Sequence, residues 1–137
     1  MEYEYNPLFN VEHSLHVARV LMDSTFEDMR KKKGVGLSPL TIYNIENHKG
    51  YYVDSLLKFA AFVDKTIYIN NRSVTSLQDI GDIFRDLREK CQLTLLDIYE
   101  KTKIYPYIVS KIERGKRYNK ATLIKYLSFF PIEITID

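Results

Sequence analysis

Thr94-Leu95-Leu96-Asp97-Ile98-Tyr99-Glu100-Lys101-Thr102-Lys103-Ile104-Tyr105-Pro106-Tyr107-Ile108-Val109-Ser110-Lys111-Ile112-Glu113-Arg114-Gly115-Lys116-Arg117 is the run whose reading decides the fold. Thr94 with Asp97 three residues on is a capping box, and Leu95 and Ile98 are the apolar positions of the short helix it opens. Pro106 suits the first turn of a second helix, where its missing amide hydrogen would have no partner anyway. Val109 and Ile112 form that helix's buried stripe, and Gly115 stops it.

Outward from this run the same grammar continues. Ser76 and Asp79 make a second capping box ahead of Ile80, Phe84 and Leu87 at helical spacing. Downstream, Thr122 starts a last helix with Leu123, Ile124, Leu127 and Phe130 inward, and Pro131 ends it. The alternation Ile132-Glu133-Ile134-Thr135-Ile136, with β-branched residues at period two, means a strand.

The chain aligns with itself. Residues 41–70 match 108–137 without a gap at an offset of 67, with nine identities, among them Ile45/Ile112, Glu46/Glu113, Lys49/Lys116, Tyr51/Tyr118 and Leu56/Leu123. The first copy follows the plan more loosely. Val17, Val20 and Leu21 mark its first helix, and Ser24 to Glu27 is a capping box that opens its second, with Phe26 and Met29 inward. Ser38-Pro39 caps its third, striped by Ile42 and Ile45, after a turn Gly34-Val35-Gly36-Leu37 two residues longer than its counterpart. It ends in the strand Ile67-Tyr68-Ile69. Two strands at equivalent positions most simply pair with each other, antiparallel about a pseudo-twofold; the alternative is that each pairs with a second copy of the chain.

Composition narrows the class. At 137 residues and 45% hydrophobic the chain has enough material for one substantial core or two small ones. Its longest uncharged runs, such as 59–63, are too short to cross a bilayer, and Met1-Glu2-Tyr3-Glu4 has no basic leader region, so a cytoplasmic, nucleoid-associated location is expected. The single Cys91 reads as a passive thiol. Net charge is only +2, but between Lys101 and Lys125 eight basic residues face one acid, Glu113, which leaves that segment at +7. The run Arg30-Lys31-Lys32-Lys33 sits at a helix C-terminus, where cations are favoured with or without a phosphate ligand. His13 and His16 share a helix face with no third ligand nearby, and no phosphate loop, nucleophile elbow or zinc-hydrolase motif occurs, so neither an enzyme nor a cofactor is expected.

The run 94–117 resembles the helix-turn-helix of the Cro/cI (xenobiotic-response-element) family, most specifically in Ser110-Lys111-Ile112-Glu113-Arg114-Gly115-Lys116-Arg117. Tyr43-Asn44-Ile45-Glu46-Asn47-His48-Lys49 is a weaker version, and the resemblance covers residues 12–63 and 77–130. The strand after the last helix is similar to that of HipB-like antitoxin repressors, where such strands join two subunits. The family usually has alanine where Arg30 and Tyr99 stand, and glycine where Lys103 stands; in that turn Lys103 would need φ > 0.

The resemblance implies a mainly α fold: two tandem lambda-repressor-like helix-turn-helix units, 1–70 degenerate and 71–137 better preserved, each ending in a short strand, as a monomeric pseudo-dimer or a homodimer. It implies a sequence-specific regulator of transcription, a repressor or autoregulator, binding double-stranded DNA at two unequal half-sites, with a toxin or other regulatory protein as a second kind of partner. DNA-contacting positions would be Tyr105, Pro106, Tyr107, Ser110 and Lys111, with Arg114, Lys116 and Arg117 on phosphates. In the first copy they would be Ser38, Pro39, Leu40, Tyr43 and Asn44, with His48 and Lys49 on phosphates. The alternative is a protein-interaction module, a degenerate antitoxin or adaptor whose helical surfaces bind a partner protein.

Overall fold

The computed structural model describes residues 5–31 and 36–137. Lys32 and Lys33 of the basic run, Gly34 and Val35 of the longer turn, and the placement of the Phe26 and Arg30 side chains lie outside the described residues. Among the described residues eight helices and three strands follow one another: α1 (Phe9–Leu21), α2 (Phe26–Lys31), α3 (Pro39–Glu46), α4 (Val53–Phe62), β1 (Ile67–Ile69), β2 (Arg72–Val74), α5 (Leu77–Lys90), α6 (Leu95–Thr102), α7 (Pro106–Glu113), α8 (Lys120–Phe129) and β3 (Ile134–Ile136). No helix among the described residues is long and apolar enough to cross a membrane.

The boundaries of α3, α4 and β1 recur in α7, α8 and β3 shifted by 67 residues. Ahead of the α2–α3 loop the shift is 69, because Pro39 follows the start of α2 by two residues more than Pro106 follows the start of α6. Side-chain caps account for the starts of α3, α5 and α6. Ser76 and Thr94 each accept from the backbone N–H three residues on, at 3.2 and 3.1 Å, while Asp79 and Asp97 reach back to their N–H groups. Ser38 accepts from Thr41 N–H at 3.2 Å.

Two boundaries differ from expectation by a residue or two. The box opening α2 is Thr25 with Asp28, the counterpart of Thr94 and Asp97, and not Ser24 with Glu27. The α8 cap is Asn119, whose side chain accepts from Thr122 N–H at 3.0 Å, so that helix starts before Thr122. In each case the residue one turn ahead of an available N–H wins the cap.

β1 pairs antiparallel with β3 in the register Ile67↔Ile136, Tyr68↔Thr135, Ile69↔Ile134. Its central pair, Tyr68 and Thr135, are equivalent residues, so exchanging the two halves of the chain leaves the ladder unchanged. A second contact has the same property: Val53 N–H donates to Tyr118 C=O at 2.9 Å and Lys120 N–H to Tyr51 C=O at 2.8 Å, on either side of the bridge Tyr52↔Asn119. The halves therefore meet about a local twofold relation, and their buried apolar residues form one continuous core rather than two.

β2 was not expected. It pairs antiparallel with β1 through a two-residue turn, Asn70 at φ 50° and Asn71 at φ 67°, and completes the order β2-β1-β3. Only Val74 of β2 is buried, so the strand has no alternation to reveal it, although its Asn-Asn turn is a hairpin signal. The boundary drawn at 70/71 thus falls within a hairpin. α1 also departs from expectation: its buried face is Val11, Glu12, Leu15 and Ala18, whereas Val17, Val20 and Leu21 point to solvent.

Candidate nucleic-acid interface

The segment between α6 and α7 is held by its own backbone. Lys103 takes φ 63° and ψ 18°, the left-handed conformation its position demanded, and its N–H donates to Tyr99 C=O at 2.7 Å. Thr102 Oγ1 donates to Ile98 C=O at 2.7 Å and accepts from Ile104 N–H at 3.1 Å, which seats Ile104 in the core. Tyr105 then precedes α7 without a side-chain cap, and Pro106 takes the first helical position.

α7 is braced from behind. The buried Glu113 carboxylate accepts from Arg88 Nε at 2.7 Å and Nη2 at 2.9 Å, and Arg88 Nη1 donates to Leu93 C=O at 3.2 Å. Arg85 and Gln78 both donate to the Glu113 carbonyl, at 2.8 and 3.1 Å. Gly81 lets α5 approach this closely, since a Cβ there would lie 2.5 Å from Ile112 C=O. The first half repeats the clamp on α3: Arg19 Nε and Nη2 donate to Glu46 at 2.6 and 2.8 Å, Nη1 donates to Ser24 C=O at 2.6 Å, and His16 bonds the same carboxylate. Arg19 and Arg88, like Ser24 and Leu93, are equivalent at the shift of 69. Sequence reasoning missed Arg19 and Arg88, which the identities at offset 67 do not register.

With its inner face held by Val109, Ile112 and Glu113, α7 exposes Tyr105, Tyr107 and Lys111, leaving Pro106 and Ser110 half-buried. The tyrosines form a ladder: Tyr99 stacks on Tyr105 at 5.4 Å and Tyr105 on Tyr107 at 6.0 Å. Lys103 lies 5.4 Å over Tyr99 and Lys111 6.0 Å over Tyr107, which interleaves charge with aromatic surface. Tyr99, noticed in the sequence only as a departure from alanine, is thus part of the exposed face.

Arg114, Lys116 and Arg117 lie just past α7 and are exposed. Arg114 Nε donates back to Ser110 C=O at 3.3 Å. Arg117 is tied across the halves, 3.1 Å from Asp54 Oδ1 with its guanidinium 3.9 Å over Tyr52. Lys120, counted in the basic segment, turns wholly inward to Glu12 at 2.6 Å and donates to the carbonyls of His48 and Lys49.

On α3, Ser38 is occupied as the cap, Pro39 follows it, and Leu40 is 67% exposed. Tyr43 is exposed beneath Lys49, 5.0 Å from its ring centroid, and Asn44 is half-buried. His48 holds φ 61°, stacks on Phe9 at 4.1 Å and bonds Glu12 at 2.7 Å. Glu12 is fully buried and also bonds the Tyr51 hydroxyl, Asn6 and Lys120. Burial, with the Glu12 charge beside it, pushes the Tyr51 hydroxyl far above its ordinary pKa, so it stays a neutral donor. The two faces therefore differ: the α7 face is aromatic and basic, the α3 face is weakly charged.

No family model, curated protein or solved structure matches this chain. Among the described residues no group of three or more His, Cys, Asp and Glu stands where it could hold a metal, His13 and His16 included.

Proposed function

We propose that the chain is a transcriptional regulator that binds double-stranded DNA through two tandem helix-turn-helix units, α2–α3 and α6–α7, arranged as an internal pseudo-dimer. The observation that carries this is the twofold pairing of equivalent residues, Tyr68 with Thr135 and Tyr52 with Asn119. It relates α3 to α7 as two subunits relate their recognition helices over a palindromic operator. The exposed start of α7 supplies the side chains the major groove requires. Lys111 donates to guanine, Ser110 contacts either base type, and Tyr107 meets a thymine methyl or a phosphate. Arg114 and Lys116 add sequence-independent affinity. Leu40, Tyr43 and Asn44 read a second, unequal half-site, with Lys49 on phosphate. His48 and Arg117, committed to Glu12 and Asp54, contribute less than their charge suggests.

A titration of random-sequence duplex at rising salt tests this. Binding should weaken steeply with salt, Lys116→Ala should lower the log–log slope by about 1, and Lys111→Glu should abolish binding. Absence of duplex binding at low salt refutes it. A protein-binding role is favoured by one observation, the exposure of Leu40, Leu96, Tyr105 and Tyr107 on these same faces. In that case a toxin or another regulatory protein occupies them, and Tyr107→Glu with Leu40→Glu removes protein binding while Lys116→Ala leaves it intact.

A further inference from the structure

In the order β2-β1-β3 the strand β3 pairs on its inner side with β1, and no second strand lies along its outer edge among the described residues. Thr66 and Asp137 exchange both backbone hydrogen bonds at 2.9 Å. The period of antiparallel pairing then turns the backbone groups of Glu133, Thr135 and Asp137 towards β1, and those of Ile134 and Ile136 outward, along the free edge. On the far side, β2 covers the same edge of β1. The consequence is visible in burial: Ile67 and Ile69, with strands on both sides, are 1% and 0% exposed, while their equivalents Ile134 and Ile136 are only half-buried.

The helices beside the two edges differ in a matching way. β2 lies against α5, and its Arg72 donates to Asp86 at 2.8 Å. At the shift of 69 defined by Arg19 and Arg88, Asp86 corresponds to Val17, Glu89 to Val20 and Lys90 to Leu21. α1 therefore turns Val17 and the 80% exposed Leu21 towards this edge, where they line a groove with Ser14, Lys65, Ile136 and Asp137.

We infer that this edge is an acceptor for an added β-strand supplied by a partner protein. β2 on β1 is the template: an antiparallel segment whose residue opposite Ile134, in the place of Val74, is β-branched and inward. The residue opposite Ile136, in the place of Arg72, is apolar, because Val17 stands where Asp86 would have paired a cation. Its flanks are neutral or basic, as Thr66 and Asn70 are opposite Asp137 and Glu133 on the inner edge. A second copy of the chain is disfavoured by the same acids, since β3 against β3 about Thr135 sets Glu133 opposite Asp137 twice. The surface is separate from the α3 and α7 faces and stands without the DNA-binding proposal.

The test is amide hydrogen exchange of the labelled full chain with a synthetic peptide of its own residues 69–76 carrying Arg72→Val. Exchange at Ile134 and Ile136 should slow about tenfold at millimolar peptide, less with the unaltered peptide, and not with one that also carries Val74→Asp. Val17→Glu or Leu21→Glu in the chain, both at exposed sites, should remove the effect with unchanged melting. No slowing, or equal slowing with the Val74→Asp peptide, overturns the proposal. So does protection without peptide that grows with chain concentration as the sedimenting mass doubles, which would assign the edge to a second copy.

Discussion

Replacing Arg88 with methionine removes both bonds the Glu113 carboxylate receives from it while keeping a side chain of similar apolar reach. Glu113 is 5% exposed, so its charge is left in a poorly polarisable site with Arg85 Nε, 3.6 Å away, as its nearest remaining cation. Breaking one side of a buried pair costs about 3–5 kcal/mol. The Arg88 side chain retains 19% exposure and Arg85 stays close, which places the expected loss at about 3 kcal/mol. For a chain of this size that lowers Tm by about 10 °C. Urea unfolding followed by far-ultraviolet circular dichroism reads the loss as a shift of midpoint with an unchanged slope. Arg88→Met combined with Glu113→Leu should recover to within about 1 kcal/mol of the parent, because the pair's stabilising attraction and its desolvation cost are then removed together. Arg19→Met should cost less than Arg88→Met, since Glu46 keeps His16. A loss below about 1 kcal/mol for Arg88→Met, or a double variant as unstable as the single one, refutes the view that this clamp holds α7 in place.

Lys120→Met should destabilise by about 3 kcal/mol in the same assay, because fully buried Glu12 would lose its lysine while keeping His48, Tyr51 and Asn6; a loss under about 1 kcal/mol would show that the inward lysine contributes little. Ser76→Ala and Thr94→Ala should each cost about 1 kcal/mol of helix-cap stability, measured by urea midpoint. Backbone hydrogen bonds from Thr75 and Thr94 hold the Asp79 and Asp97 carboxyls below their ordinary value of 3.8. Folding therefore gains fully from them above that value and loses the gain as pH falls through the lower folded values, so the urea midpoint should drop on acidification below about pH 4, less steeply in Asp79→Asn with Asp97→Asn. Lys103→Gly should stabilise by about 0.5 kcal/mol, the relief of left-handed strain outweighing the added backbone entropy and the lost contact over Tyr99; a lower Tm in a thermal melt would contradict it.

Local chemistry was legible wherever its cause lay within a few residues. The Ser76/Asp79 and Thr94/Asp97 boxes, Pro39 and Pro106 at the first helical positions, and Gly115 at φ 74° all follow from the geometry of a single turn. Reading failed where two local solutions competed, as for Thr25 against Ser24, or where the signal lay in the turn rather than the strand, as for Asn70-Asn71 and β2. For the candidate interface, the exposure of Lys111, Tyr105 and Tyr107 could be anticipated from helical spacing. The inward course of Lys120 could not, because its partner Glu12 lies on the first helix and a charge run carries no record of which member faces a buried acid.

The sequence by itself determined a mainly helical chain in which residues 41–70 and 108–137 repeat at an offset of 67, each stretch ending in a strand. Hydrophobic period and cap chemistry act over one or two turns and do not need the rest of the molecule. The antiparallel pairing of the two closing strands was already the simplest reading of the sequence, whereas tertiary structure alone decided that the copies share one core, that Glu46 and Glu113 are clamped by Arg19 and Arg88, and that β2 adds to β1 while no added strand lies against β3 among the described residues. Those outcomes depend on which buried charges and backbone groups meet across distances in sequence, where hydrogen-bond satisfaction and desolvation, and not local propensity, select the partner.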